Sequence, residues 1–504
     1  MKVLFIYPNL YAQVGFNYGV AFLSAALKSA GHQTALINVN DTLDDDVKPG
    51  DIVTRVRDEA PGLVGFSVVT NQFRYALEMA ALIRRELPGI PVIAGGVHAT
   101  MDPKGVLESG AFDYACVGEG EEALIELVNA LERGADTTNI PNIWARGSDT
   151  IIENPVRPFI DLERLPRKDY SIFDFQNMID AKDGWVGLMA SRGCPFRCSY
   201  CFNHRMVELY SRDTGLSVAE LNYVRHHSVE EVIGEVEHLL SNYKNIRTFI
   251  FDDDLFTFDK EYVREFCRRY RQVTNVPFVC NAHVRFMDEE MAAILREGGC
   301  RIVKFGLESG SERVRREVMH RRMTNKQIER AFEAVHSAGL HSSAFVMIGL
   351  PGETPFEMDE TVALLARIRP GRFRWAVFYP FVNTDAWDMA VRMGLIDFDK
   401  MKNLSNFTDD SCLDFGAEQN LKIRKLRAAF GWYVNAMSAD PTVARLFSRL
   451  CDVVEGLTHE QFEAFEQQIA SFDSLLSQVV TRAGHQLYAL RYNSFTAVTS
   501  TWTD

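Results

Sequence analysis

Ser191-Arg192-Gly193-Cys194-Pro195-Phe196-Arg197-Cys198-Ser199-Tyr200-Cys201 stands directly after an apolar run, Val186–Ala190, that reads as a strand. The cysteines have the spacing C-x3-C-x2-C. Three thiolates on one short loop can take three irons of a four-iron cubane and leave the fourth iron open. A zinc site would want a fourth Cys or His at short spacing, and His204 is the candidate for it. The strand that leads into the loop favours the cluster.

Downstream of this loop, strands are expected at Thr248–Asp252, Pro277–Asn281, Ile302–Leu307, Ser343–Ile348 and Arg374–Phe378. Helical patterns fall between them, among them Val229–Ser241, Lys260–Val273, Glu289–Glu297, Asn325–Ala338 and Phe356–Ile368. With Val186–Ala190 this series predicts a partial parallel (β/α)6 barrel of the TIM type over residues 186–391, with its chemistry at the carboxyl-terminal rim. Upstream, residues 1–135 also alternate. Strands are expected at Val3–Tyr7, Thr34–Asn38, Leu63–Val69, Pro91–Ala94 and Tyr114–Val117, and helices at Val20–Ala30, Tyr75–Leu87 and Glu121–Leu131. That pattern predicts a doubly wound, Rossmann-like α/β domain whose ligand sits beyond the carboxyl ends of its strands. Residues 136–185, with Pro141, Pro155, Pro158 and Pro166, read as a linker. Residues 392–504 show no strand series. They read as a mainly helical domain, with helices at Ile423–Ala436 and His459–Val480, set by position as a cap over the barrel mouth.

The bulk numbers exclude several classes. Among 504 residues, 68 are acidic and 54 basic, a net charge of −14 that disfavours nucleic acid and anionic membrane surfaces as partners. No run approaches the roughly 18–20 apolar residues of a membrane span. Met1–Pro8 is too short for a signal peptide and reads as a buried strand. Nine cysteines, only three of them clustered, argue against a secreted disulfide framework and for a reducing, cytoplasmic compartment. His226, His227 and His283 have no partner at ligand spacing, and Ser228 with Glu231 reads as a helix start.

The cysteine loop, with Tyr200 before its last cysteine, resembles the signature of radical S-adenosylmethionine (SAM) enzymes. Phe249-Ile250-Phe251-Asp252-Asp253-Asp254 is similar to that superfamily's acidic second strand end. Phe305-Gly306-Leu307-Glu308-Ser309-Gly310 and Phe345-Val346-Met347-Ile348-Gly349-Leu350-Pro351-Gly352-Glu353-Thr354 resemble its fourth and fifth strand ends, in the same order. The resemblance implies a [4Fe–4S] cluster on Cys194, Cys198 and Cys201. SAM would chelate the open iron and be cleaved reductively to a 5′-deoxyadenosyl radical, with a flavodoxin or ferredoxin as electron donor. It also implies Tyr200 near the adenine and Glu308 and Ser309 at the ribose hydroxyls or the amino group. Gly349 and Gly352 would let backbone approach the adenine, and Arg285 would pair with the SAM carboxylate. A structural ion pair for Glu308, a surface salt bridge for Arg285 and a helix cap for Glu353 are the plainer readings. Tyr379-Pro380-Phe381-Val382-Asn383-Thr384 is similar to the segment that closes such barrels, but carries Val-Asn-Thr where Pro-Gly-Thr is usual.

The first domain resembles the cobalamin-binding domain that precedes many radical SAM cores. The pieces are Val3–Pro8, Gly19–Leu27 with Ala30-Gly31-His32, Gly95-Gly96-Val97-His98-Ala99-Thr100 and Val117-Gly118-Glu119-Gly120-Glu121. The resemblance places Gly95, Gly96, His98, Gly118 and Glu119 at cobalamin, with His98 better suited to a phosphate or backbone group than to cobalt. The D-x-H-x-x-G motif of other cobalamin proteins is absent, and Asn9-Leu10-Tyr11 stands in its place. A vestigial domain that binds nothing is the plainer alternative. Together the resemblances imply a cobalamin-dependent radical SAM enzyme that C-methylates a small or medium organic substrate, as class B radical SAM methyltransferases do. A radical cyclase like the anaerobic magnesium-protoporphyrin monomethyl ester cyclase group is the second reading. A non-catalytic sensor would need none of the SAM-side motifs.

Overall fold

Val3, Leu4, Phe5 and Ile6 are buried in succession, so this strand is covered on both faces, as a central parallel strand must be. The computed structural model describes residues 1–43, 49–404 and 410–502. They fall into two units, one made of Met1–Phe196, Cys201–Asp253 and Phe381–Thr384, the other of Arg197–Tyr200, Asp254–Pro380 and Asp385–Asp504. Among the described residues no helix is long and apolar enough to cross a membrane.

In the first unit, β1 (Lys2–Pro8) pairs in parallel with β2 (Gln33–Val39) and β3 (Leu63–Ser67). The ladder continues through β4 (Val92–Gly95) and β5 (Tyr114–Cys116). Because β2 and β3 lie on opposite sides of β1, the crevice at the carboxyl ends of β1 and β3 is the switch point where such sheets bind ligands. Gln72 clasps it: Leu10 N donates to Gln72 Oε1 at 3.1 Å, and Gln72 Nε2 donates to the Leu10 carbonyl at 2.9 Å. A helix at Pro49–Glu59, not expected from the sequence, covers one flank with Ile52, Val53 and Val56.

The stretch expected as a linker is in part sheet. Antiparallel strands β6 (Ile143–Arg146) and β7 (Ile151–Ile152) extend the ladder from β5, burying Ile143 and Ala145. Their prolines, Pro141 and Pro155, sit just outside the strands, where no ladder N–H is needed. The strap that follows is pinned by a buried ion pair, Lys168 Nζ to the two Glu235 oxygens at 2.6 and 2.7 Å, with Tyr170 on the same carboxylate. Beyond it, β8 (Trp185–Leu188) pairs in parallel with β11 (Thr248–Phe251). β9 (Ser191–Arg192) pairs antiparallel with β10 (Arg225–His226).

In the second unit β12 (Phe278–Ala282), β13 (Cys300–Glu308), β14 (His341–Ile348) and β15 (Arg372–Val377) form a parallel ladder. β15 alternates cleanly, with Phe373, Trp375 and Val377 buried. That face lies under the helix Ala417–Ala436: Trp375 stacks on Phe430 with centroids 5.2 Å apart, and its Nε1 donates to the Arg427 carbonyl at 2.8 Å. Such a stacked pair adds about 0.5–1.5 kcal/mol beyond its burial. The C-terminal segment therefore flanks β15 as one more layer, in place of the expected cap over the mouth. It also contains strands where none was expected. β16 (Tyr488–Leu490) and β17 (Thr496–Thr499) form a hairpin, and β17 pairs antiparallel with β15. The single helix expected over His459–Val480 is two, His459–Glu466 and Ile469–Arg482.

Candidate cofactor site: the cysteine loop and its arginine

No cysteine of the chain is in a disulfide; Cys198 is buried, and Cys194 and Cys201 are half-buried. The middle of their loop belongs to the second unit and is clamped there by Ser199. Its N–H donates to the Met319 carbonyl at 3.1 Å, its hydroxyl donates to the Val318 carbonyl at 2.6 Å, and its carbonyl accepts from Ala386 N at 2.9 Å. Against this clamp lies Arg321, which no motif had pointed to. Its Nη1 is 3.4 Å from Cys198 Sγ and 3.2 Å from the Tyr200 hydroxyl, and its Nη2 donates to the Gly306 carbonyl at 2.7 Å. Burial works against the guanidinium charge, but Tyr200, Cys198 and Glu308 more than offset it and raise its pKa.

Glu308 ends β13 at a positive φ of 70°, just after a register shift between Gly306 and Glu308. Burial raises its pKa, with Arg321 and Tyr200 opposing. A Cβ at Gly306 would collide with the Glu308 carboxylate and stand 3.5 Å from Arg321 Nη2. Any side chain at 306 would therefore push the Glu308 carboxylate aside from its place beside Arg321. Cys198, Tyr200, Glu308 and Arg321 are thus brought together.

The other expected SAM-side residues are placed differently. Ser309 is wholly buried, its hydroxyl accepting from Ser311 N at 3.2 Å and 3.4 Å from Thr361 Oγ1, so its side chain is used within the protein. Arg285 is exposed in the short turn Val284–Phe286, and the cation beside the cysteine loop is the half-buried Arg321 instead. Gly349 and Gly352, both with positive φ, bracket a turn that Glu353 closes. Glu353 Oε2 accepts from Gly349 N at 2.8 Å and Leu350 N at 3.2 Å, while Thr354 and Glu357 cap the next helix. Burial pushes the Glu353 carboxyl up to about 8. His204 has Nδ1 2.7 Å from the Cys201 carbonyl oxygen.

The first unit fixes the approach to the loop. Asp253, buried just after β11, takes Ala190 N on both oxygens at 3.1 Å and the Ser191 hydroxyl at 2.5 Å. Burial lifts its carboxyl to about 6. Arg192 reaches back to Glu119 at 3.0 Å and Glu121 at 2.7 Å, and Arg225 meets Glu119 at 2.7 Å. Glu119 is therefore the hub of an ion-pair network between β5's end and the β9–β10 pair. Its carboxylate also accepts from Ile160 N at 2.9 Å. Gly118, at φ +80°, leaves the room that the Tyr210 hydroxyl fills, and Tyr210 in turn accepts from Glu119 N at 2.9 Å. Gly95 and Gly96 end β4 against Val68, whose carbonyl accepts from His98 N at 3.1 Å. The His98 ring lies 4.1 Å from that of Phe73, with Nδ1 3.3 Å from Thr70 Oγ1. Its Nε2 is buried without a protein hydrogen-bond partner, and burial lowers its pKa to about 4.

Residues 188–365 match the model of the Radical SAM superfamily, and residues 10–128 match that of the B12 binding domain. The chain combines a B12-binding domain with a radical SAM domain. It is 26% identical over 429 residues to an uncharacterized methyltransferase of Pyrococcus horikoshii, covering 81% of this chain and 89% of that one. It is also 26% identical over 435 residues to the anaerobic magnesium-protoporphyrin IX monomethyl ester cyclase of Rubrivivax gelatinosus, covering 82% and 75%. Among solved structures, the fold is shared with the radical SAM methyltransferase TsrM from Kitasatospora setae, at a TM-score of 0.62, 20% identity and coverage of 78% and 76%. It is shared too with the cobalamin-dependent SAM radical enzyme OxsB, at a TM-score of 0.67, 16% identity and coverage of 96% and 75%.

The chain is an enzyme, and its two domains imply a [4Fe–4S] cluster, SAM and cobalamin as cofactors. Among the described residues no three His, Cys, Asp or Glu side chains stand as a ready metal site. What fits the cluster is donor chemistry: three thiols on one loop, the middle one 3.4 Å from a guanidinium nitrogen. What fits cobalamin is the crevice of a switch-point sheet and a buried, neutral imidazole whose Nε2 the protein leaves unpaired.

Proposed function

We propose that the chain is a cobalamin-dependent radical SAM methyltransferase acting on carbon of a small or medium organic substrate. The cluster and cobalamin, when bound, supply reductive cleavage of SAM and carriage of the methyl group. The chain's own part is positioning. Cys194, Cys198 and Cys201 hold the cluster. Arg321, fixed on Cys198, Tyr200 and the Gly306 carbonyl, holds a positive charge beside it for the SAM carboxylate. Glu308 is placed to accept from the SAM amino or ribose groups, and Gly349 and Gly352 line the adenine side. In the first unit, Gly95, Gly96, His98 and Gly118 lie at the strand ends proposed to hold cobalamin. Glu119 supports them through its arginines rather than by touching the cofactor.

The observation that carries this reading is the half-buried Arg321 on Cys198 and Tyr200, close to the Glu308 carboxylate, since a cation fixed at a cluster thiol has no evident use in a mere scaffold. The cyclase reading has equal sequence likeness behind it. The test is anaerobic reconstitution with iron, sulfide and hydroxocobalamin, followed by reduction in the presence of SAM. About four irons and one cobalt per chain, with 5′-deoxyadenosine formed, support the reading. Four irons without cobalt remove the methyltransferase, and a ring-closed product in place of a methylated one favours the cyclase.

A further inference from the structure

Lys304, Gly306, Phe345 and Arg374 lie on the face of the second sheet opposite the one that Trp375 and Phe373 turn toward the helix Ala417–Ala436. The register is explicit: Gly306 pairs with Phe345, and Phe345 with Arg374. The Glu308 carboxylate and Arg321 occupy this face over Gly306. Arg374 therefore stands at the same level two strands away, about 10 Å at the usual strand spacing.

Its surroundings are unusual for an arginine. The guanidinium sits over the rings of Phe345, at 5.9 Å, and Phe495, at 5.0 Å. Among the described residues no carboxylate or hydrogen-bond acceptor meets it. Burial alone lowers its pKa, with no counter-charge opposing. Directly across the ladder on β17, the buried Thr496 hydroxyl also lacks a partner. Two aromatic faces return about 0.5–2 kcal/mol each to a cation. The guanidinium is half-buried and has no counter-charge, so an anion in the site would add a charge-assisted pair to those contacts.

We propose that Arg374, flanked by Phe345 and Phe495, is the anchor for the substrate, and that the substrate carries an oxyanion, a carboxylate or a phosphonate or phosphate group. This rests on the methyltransferase reading above. It adds that the guanidinium fork fixes one end of the substrate and so directs carbon about one small molecule's length away toward the Arg321 end of the sheet. The C-terminal hairpin, through Phe495, supplies one wall of the specificity site.

The enzyme reconstituted with cluster and cobalamin is titrated with two probes, methylphosphonate and propionate, while its melting temperature is followed. A saturable rise with either probe, weakened about 10- to 100-fold in apparent affinity in Arg374→Gln and less in Arg374→Lys, is expected. Whichever probe binds tells phosphonate from carboxylate. No rise with either probe, or an unchanged affinity in Arg374→Gln, overturns the proposal. If Arg374→Gln does not fold, phenylglyoxal labelling of the unaltered enzyme decides: bound probe is expected to slow modification of Arg374, and no protection overturns it. SAM cleavage by the unaltered enzyme is measured alongside. Its failure counts against the function reading and leaves the anion result to stand by itself.

Discussion

Arg321→Gln takes one positive charge away from Cys198, Tyr200 and Glu308 together. It is expected to cut reductive SAM cleavage, read as 5′-deoxyadenosine, by at least about tenfold, with Arg321→Lys in between because lysine lacks the fork. Glu353 gives a pH test. Its carboxyl is raised from 4.5 to about 8 by burial, so its contribution is whole below pH 4.5 and is lost as the pH rises toward 8. Glu353→Gln, which keeps an acceptor for Gly349 N and Leu350 N, should leave the melting temperature unchanged at pH 5 and raise it by several degrees at pH 9. At this scale the sequence told much about the cysteines and Glu308, whose spacing and strand-end positions carry their chemistry openly. Arg321 was hidden in the charged run Glu312–Arg322, which reads as a solvated helix. Its partners, Cys198 and Gly306, come close only through the fold.

Strands with full parallel partners were legible, because each is a short apolar run between turn signals. β6, β7, β16 and β17 were not. They are two to four residues long, antiparallel and at or next to a sheet edge, and such strands have too few positions to show a pattern. The loop Val117–Glu121 shows the same limit: Gly118-Glu119-Gly120 reads as a ligand loop, yet Glu119 is tied to Arg192 and Arg225. Glu119→Gln leaves those two guanidinium groups without their shared counter-charge. It is expected to cost about 3 kcal/mol, read as a lower denaturant midpoint, and to loosen the β9–β10 pair that leads into the cysteine loop.

For the whole chain, deletion of the hairpin from residue 485 onward would strip Tyr488, Ala497, Val498 and Trp502 from their burial and leave the edge of β15 open. A loss of at least about 3 kcal/mol is expected, and aggregation measured by light scattering is the readout. A truncation near residue 395 would remove the layer over Trp375 as well, so it tests the integrity of the sheet rather than substrate affinity. Acid should also act on the whole molecule. His98 titrates near 4, and His227 and His283 near 3, all held below 6.5 mainly by burial. Their depressed values leave stability intact above pH 6.5 and withdraw it as the pH falls toward 4, a slope visible in melting temperature against pH.

Phe495 and Thr496 leave the ribosome long after Cys194–Cys201 and Arg321. A chain that folds from its N-terminus as it is made would have the thiol loop and its guanidinium in place while one wall of the Arg374 site was still unsynthesised. If the thiols hold the cluster and Arg374 the substrate, as proposed, the cluster end would be finished before the substrate-holding end exists.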